Sequence, residues 1–109
     1  MLQMPTEVQK SDGATHSMMI EYATEHVAHA RKAIAYVETN WPSQFNYFLF
    51  EDASASDEKF EVTVFPSTTD LDGDLTGTLV HSRLKSETFV EEEPVSFLTY
   101  IERALANHK

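Results

Sequence analysis

The sequence contains no cysteine, and among its 109 residues it has three glycines and eight lysines and arginines. Without cysteine the chain forms no disulfide, offers no catalytic thiolate and ligates no iron–sulfur cluster or zinc ribbon. Three scattered glycines leave no glycine-rich loop that would cradle a phosphate. The sequence also lacks an apolar run of about 18 residues, so we expect no membrane-spanning helix and no membrane insertion.

Acidic residues outnumber basic ones by 18 to 8, which gives a net charge of −10. A surface this acidic repels phosphate backbones and anionic lipids, so we expect no nucleic-acid binding. It favours solubility or a basic protein partner instead. The N-terminus has neither the basic region nor the apolar region of a secretory signal. We therefore expect a cytoplasmic protein, with an organelle as the alternative.

The hydrophobic content of 41% is sufficient for a single core. Residues 1–17 contain Pro5 and Gly13 and show little periodicity, so we expect an N-terminal tail that is in part ordered against the domain. The domain itself is predicted to span residues 18–109.

The chain is organised around a strand that leads directly into a helix. Met18, Ile20 and Tyr22 alternate with Met19 and Glu21, which predicts a strand. The apolar period then changes to three and four, which predicts a helix with Thr24 as its N-cap. The face of this helix is predicted to comprise Val27, Ala30, Ile34, Val37 and Trp41.

Three further strands and a second helix are predicted after this unit. Residues 44–50 are almost continuously apolar, as in a parallel strand that is buried on both faces. Residues 59–65 and 77–82 read as a hairpin with a long tip at 66–76. Phe89 is predicted to tuck inward, and a terminal helix begins at Pro94. The order β-α-β-β-β-α predicts an α/β fold (an α+β sandwich) with a four-stranded mixed sheet and two helices. The apolar stripe of the terminal helix is predicted to be Val95, Leu98, Ile101 and Leu105, with Phe97 at its flank.

Three pieces of the sequence stand in a characteristic order and spacing: Ile20-Glu-Tyr22 with the following helix, Phe60-Glu-Val-Thr-Val64, and Gly77-Thr-Leu-Val-His-Ser-Arg83 leading through Phe89 to Phe97-Leu-Thr-Tyr-Ile101. Together they resemble the selenoprotein W family, including its cysteine-containing relatives of the Rdx type. The resemblance covers roughly residues 18 to 105. It implies a thioredoxin-like fold and a tendency to bind other proteins.

The redox motif of that family is missing. The family places Cys-x-x-Cys or Cys-x-x-selenocysteine directly after the first strand, and those positions fall here on Ala23 and His26. The chain is therefore predicted to be a redox-inactive homologue without catalytic residues or a cofactor. It would act by binding a protein partner, as an accessory subunit of a larger complex. The predicted binding surface is the former active-site edge, together with the 66–76 tip: Tyr22, Ala23, Thr24, Glu25 and His26.

Other chemistries remain as alternatives. A redox-pathway role would use His26 as an acid–base group, with a thiol supplied by glutathione or by a partner protein. A metal site would combine His26 and His29 with Glu25 or His16, but metal sites need three supported ligands, so we expect none.

Two further features of the sequence bear on function. Asp70-Leu-Asp-Gly-Asp74 resembles the opening of a calcium loop, but Leu75 and His81 stand where glycine and glutamate are needed. The aromatic residues around 41–50 are predicted to be mostly core. If Phe48 or Trp41 is exposed, it marks a contact patch for a partner.

Overall fold

The computed structural model describes residues 5–53, 59–66, 77–83, 89 and 92–107. Five strands and two helices lie in these ranges: β1 Glu7–Gln9, β2 His16–Ala23, α1 Val27–Asn40, β3 Phe45–Asp52, β4 Phe60–Phe65, β5 Thr78–Ser82 and α2 Pro94–Asn107. A short 3-10 turn, Thr24–His26, joins β2 to α1. The predicted α/β class is confirmed. Among the described helices, none is long and apolar enough to cross a membrane.

The strands form one mixed sheet in the order β1-β3-β2-β4-β5. Strands β2 and β3 are parallel, as predicted for a strand–helix–strand unit, and the other neighbouring pairs are antiparallel. The hairpin of β4 and β5 has a register shift between Val62 and Thr63.

The sheet has five strands where the sequence predicts four. The additional strand, β1, lies within residues 1–17, the segment predicted as a tail. Three residues are too few to show a period, and β1 obtains its order from hydrogen bonds to β3. The N–H of Thr6 donates to the carbonyl of Leu49 at 2.7 Å, and Glu7 pairs with Leu49 in the ladder.

Both helices pack on the same face of the sheet and share one buried cluster. Its strand residues are Met18, Ile20, Tyr22, Phe45, Tyr47, Leu49, Phe60, Val62, Val64 and Val80. Its helix residues are Ala30, Ala33, Ile34, Val37, Phe97, Ile101 and Ala104. Alternate residues of β2, β3 and β4 point to one face, so in these strands the alternation determines which side chains reach the helices.

The buried face of each helix contains a partly different set of residues from the set that the sequence predicts. Val27 is 38% exposed, and the buried residue at the start of α1 is His26 of the 3-10 turn. Val95 is 77% exposed, and Phe97 is buried rather than at the flank of the stripe. The inward face of α2 is thus formed around Phe97, Ile101 and Ala104, with Leu98 and Leu105 partly buried beside them.

A buried tyrosine ties α1 to the sheet. The hydroxyl of Tyr47 on β3 donates a hydrogen bond of 2.7 Å to Oε2 of Glu38 on α1. Burial, followed by this hydrogen bond, raises the pKa of Tyr47 well above its usual range. The neutral hydroxyl therefore anchors the last turns of the helix on the central part of β3.

The edge strand β1 is tied to the same helix. The guanidinium of Arg31 donates two hydrogen bonds to the carboxylate of Glu7, of 2.7 and 3.0 Å, and Gln9 donates a third. The hydrogen bonds from Arg31 and Gln9 lower the pKa of Glu7 from 4.5 to about 2. A bidentate pair of this kind also fixes the geometry of both side chains.

Replacing Tyr47 with phenylalanine is expected to lower the free energy of unfolding by about 1.5 kcal/mol, because a hydrogen bond to a charged group is lost. The measurement is urea-induced unfolding of both proteins. Tyr36→Phe is the matched control, since the Tyr36 hydroxyl makes no hydrogen bond within the described residues. We expect that variant to stay within about 0.5 kcal/mol of the parent protein. Equal effects in the two variants would contradict the anchoring role of Tyr47.

Glu7 gives the protein a small pH-dependent contribution to stability. Because its folded pKa is depressed to about 2, the contribution is present above about pH 4.5 and is lost as the pH falls toward 2. It is small, since the side chains of Arg31 and Glu7 are 52% and 36% exposed. The difference in urea midpoint between the parent protein and Glu7→Gln should shrink over this pH window. A difference that is independent of pH would show that the ion pair does not act in solution.

Candidate functional site

The site predicted from the sequence is the junction where β2 passes into α1. Ala23 ends the strand in an extended conformation, with φ −69° and ψ 149°, and its N–H donates to the carbonyl of Lys59 at 3.0 Å. The prediction that Thr24 caps the helix is wrong. No side chain caps the 3-10 turn or α1, and the Thr24 hydroxyl instead donates to Oε2 of Glu51 at 3.3 Å.

The five residues of the predicted binding surface differ sharply in exposure. Ala23 is 1% exposed and His26 is 8% exposed, and Tyr22 is also buried. Thr24 and Glu25 are exposed, and the exposed surface continues over Val27 and Ala28 in the first turn of α1. We call Thr24, Glu25, Val27 and Ala28 the junction surface. It is the part of this region that a partner protein can touch directly.

Tyr22 belongs to the core below the junction. It pairs with Glu51 on β3 and with Phe60 on β4. Burial, and next the negative charge of Glu51, raise the pKa of the Tyr22 hydroxyl. The hydroxyl is therefore neutral at physiological pH, and it does not act as a base.

Two histidines of the junction pack around one phenylalanine. The ring of Phe89 lies flat on His29, with 3.5 Å between the centroids and an interplanar angle of 6°. The same ring meets His26 edge to face, at a centroid distance of 4.8 Å. The guanidinium carbon of Arg83 lies 4.3 Å from the Phe89 centroid, within the range of a cation–π contact. The inward position predicted for Phe89 is confirmed, and it covers His26.

Further aromatic contacts continue this packing into the sheet. Phe60 on β4 meets Phe89 at 5.6 Å and His81 on β5 at 5.9 Å, and His81 meets Phe97 on α2 at 6.1 Å. These edge-to-face contacts connect α1, β4, β5 and α2. The junction is thus held by packed rings, and the side chains at its centre are oriented by neighbours from four elements.

The predicted metal ligands are not brought together. His16 lies at the start of β2, where its Nδ1 is 2.7 Å from the Thr15 hydroxyl, whereas His26 and His29 lie beyond the other end of the strand. In the part of the chain that the structure describes, no three or more histidine, aspartate or glutamate side chains form a group that would hold a metal ion. The sequence Asp70–Asp74 and the rest of residues 67–76 lie outside the described residues.

Acid–base chemistry at His26 is also poorly supported by the geometry. The side chain is 8% exposed and packs against Phe89, so a thiol substrate reaches the imidazole only if Phe89 moves. General acid–base catalysis requires the substrate within hydrogen-bond reach of the catalytic group. The packed junction favours a structural role for His26.

The chain matches no protein-family model, no curated protein and no solved structure. Functional inference therefore depends on the fold and on the junction themselves.

The contact that organises the junction was not predictable from sequence spacing. His26 and His29 attract notice as a pair on one helical turn, and Phe89 stands out as an apolar residue in a polar connection. The stacking of Phe89 on His29 joins residues that are far apart in the chain, and no local period encodes it.

Replacing Phe89 with alanine is expected to expose His26 and His29 without unfolding the sheet, because the ring that covers both imidazoles is removed. The measurement is the modification rate of each histidine by diethyl pyrocarbonate, followed by mass spectrometry. We expect a severalfold increase at His26 and His29. His16 is the internal control, since it lies at the opposite end of β2, and its rate should stay unchanged. Equal acceleration at all three histidines would indicate general unfolding instead.

Proposed function

We propose that the chain is a redox-inactive, thioredoxin-like protein of the selenoprotein W type that acts by binding another protein. In this proposal it is an accessory subunit of a larger cytoplasmic assembly, with neither a catalytic residue nor a cofactor. The order β-α-β-β-β-α of the resemblance is matched by β2, α1, β3, β4, β5 and α2, with β2 and β3 parallel. Strand β1 is an addition at the edge of that arrangement.

The proposal depends mainly on which residues lie at the junction and on how deeply they are buried. The two positions that hold redox atoms in the family are Ala23 and His26 here, and both are buried. A methyl group and an imidazole have no thiol chemistry, and the packing of Phe89 limits access to the imidazole. The residues beside them, in contrast, remain available for contact. The loss of both chemistry and access at a retained strand–helix junction favours binding over turnover.

The junction surface has the mixed character of a contact site. Val27 is 38% exposed, and Glu25, two residues earlier in the chain, is exposed as well. Protein interfaces commonly combine an apolar centre with a polar rim. With a net charge of −10, the chain attracts a partner whose contact surface is basic.

The test is isolation of the tagged protein from its own cells under mild conditions, with measurement of its native mass and identification of bound proteins. We expect a stoichiometric partner with the parent protein. Val27→Glu should reduce its recovery at least about tenfold, because a buried, unpaired charge weakens an apolar contact. Val95→Glu is the matched control, as the same change at an exposed position of α2. It should leave recovery unchanged.

Two results would contradict this function. A parent protein that is isolated as a clean monomer would remove the binding-subunit role. Equal recovery of the partner with Val27→Glu and Val95→Glu would discard the junction surface as its contact.

A further inference from the structure

The sheet has a second face that neither described helix covers. Helices α1 and α2 share the core cluster on one face, and within the described residues no helix packs on the other. We call this second side the open face; its central positions are partly exposed, whereas Phe50 and Phe65 on the same side are buried. Its side chains come from the strand positions that alternate with the core positions, such as Met19 between Met18 and Ile20.

An apolar row crosses the open face over all five strands. In the register of the sheet, Val8 pairs with Phe48, Phe48 with Met19, Met19 with Thr63, and Thr63 with Leu79. Directly paired residues lie on the same face, so these five form one continuous row. Val8 is 40% exposed and Leu79 is 41% exposed, while Phe48, Met19 and Thr63 are partly exposed. Four strand spacings of about 4.8 Å make the row about 19 Å long.

The border of this row toward the junction is acidic. Glu21 and Glu61 are direct cross-strand partners in the next row, and Asp52 lies beyond them. The ammonium group of Lys59 lies 3.9 Å from Glu21 and 3.4 Å from Asp52, so two of the three carboxylates on this border share one cation. The Ser82 hydroxyl donates to Oε2 of Glu61 at 3.0 Å. Like charges directly opposite each other destabilise a sheet, and a basic partner would relieve that cost.

We propose that the open face is a docking surface for an amphipathic segment of a partner protein, with an apolar stripe flanked by lysine or arginine side chains. The proposal rests on the protein-binding function above and adds a second surface and a partner chemistry to it. The apolar stripe covers Val8, Phe48, Met19 and Leu79, and the basic flank meets Glu21, Glu61 and Asp52. A helical segment of about 13 residues has the length of the row.

The negative charge beside the apolar row favours a basic segment over the other ligands that an apolar face attracts. A second copy of the chain would bring another net charge of −10 against the same acidic border. Anionic lipid surfaces and nucleic acids carry the same sign of charge and are repelled likewise. A basic amphipathic segment satisfies both the apolar row and the carboxylates.

The probe is a synthetic peptide of about 14 residues in which leucine and lysine alternate at helical spacing. The matched peptide has glutamate in place of every lysine. Each is titrated into the isotopically labelled full chain and followed by NMR. We expect the lysine peptide to bind, with amide shifts concentrated at Val8, Met19, Phe48 and Leu79. Binding should weaken as salt is added, and the glutamate peptide should not bind.

Variants that each add one negative charge test whether the peptide binds at the open face. Leu79→Glu and Val8→Glu should each raise the dissociation constant at least about tenfold, because each places a carboxylate in the apolar contact. Val95→Glu adds the same charge elsewhere and should leave the constant unchanged. Circular dichroism melting of each variant verifies that it is folded, and two open-face variants are used so that the failure of one does not decide the result.

Four results would overturn the docking proposal. The first three are amide shifts located away from the open face, equal binding of the two peptides, and a dimer in sedimentation experiments that Leu79→Glu dissociates. Protection of the face by another part of the same chain would appear as an absence of peptide binding, which also overturns it.

The open-face proposal and the proposed function can fail separately. A cellular partner that is lost in Val27→Glu and unaffected by Leu79→Glu, without peptide binding, contradicts the open-face proposal alone. Peptide binding without any cellular partner contradicts the proposed function instead.

Discussion

Strand β2 is the constraint on which the rest of the structure depends. It pairs in parallel with β3 on one side and antiparallel with β4 on the other, so its register determines the placement of the residues on both neighbours. Met18, Ile20 and Tyr22 point to the helices, and Met19 and Glu21 therefore point to the open face. A shift of one residue would exchange the two faces, which is why the buried alternation specifies the fold so strongly.

The position of β2 also creates the junction. Strand β2 ends at Ala23, where the chain leaves the sheet and α1 begins. Contacts from distant segments then determine how accessible this end of the strand is. Phe89 stacks on His29 and meets His26, while Phe60 supports Phe89 from the sheet. Packing of this kind keeps solvent away from the His26 imidazole, which is 8% exposed.

The open face carries two carboxylates that are direct cross-strand partners. Glu21 lies 3.9 Å from the ammonium group of Lys59, and Glu61 accepts a hydrogen bond from Ser82. On the helix face, the buried hydroxyl of Tyr47 donates its hydrogen bond to Glu38. The open face combines an unfavourable charge arrangement with exposed Val8 and Leu79. Surfaces that bind partners often keep such features, because the free energy is recovered in the complex.

The sequence by itself determined β2, β3, β4, β5 and both helices, because hydrophobic periodicity is a local property that a single chain displays. It also indicated the junction, from the change of period after Ala23, and it excluded thiol chemistry. Tertiary structure alone decided that β1 joins the sheet, that Phe97 faces inward, and that His26 is covered by Phe89. Each of these depends on a contact between distant segments, whose free energy appears only when the strands and helices meet.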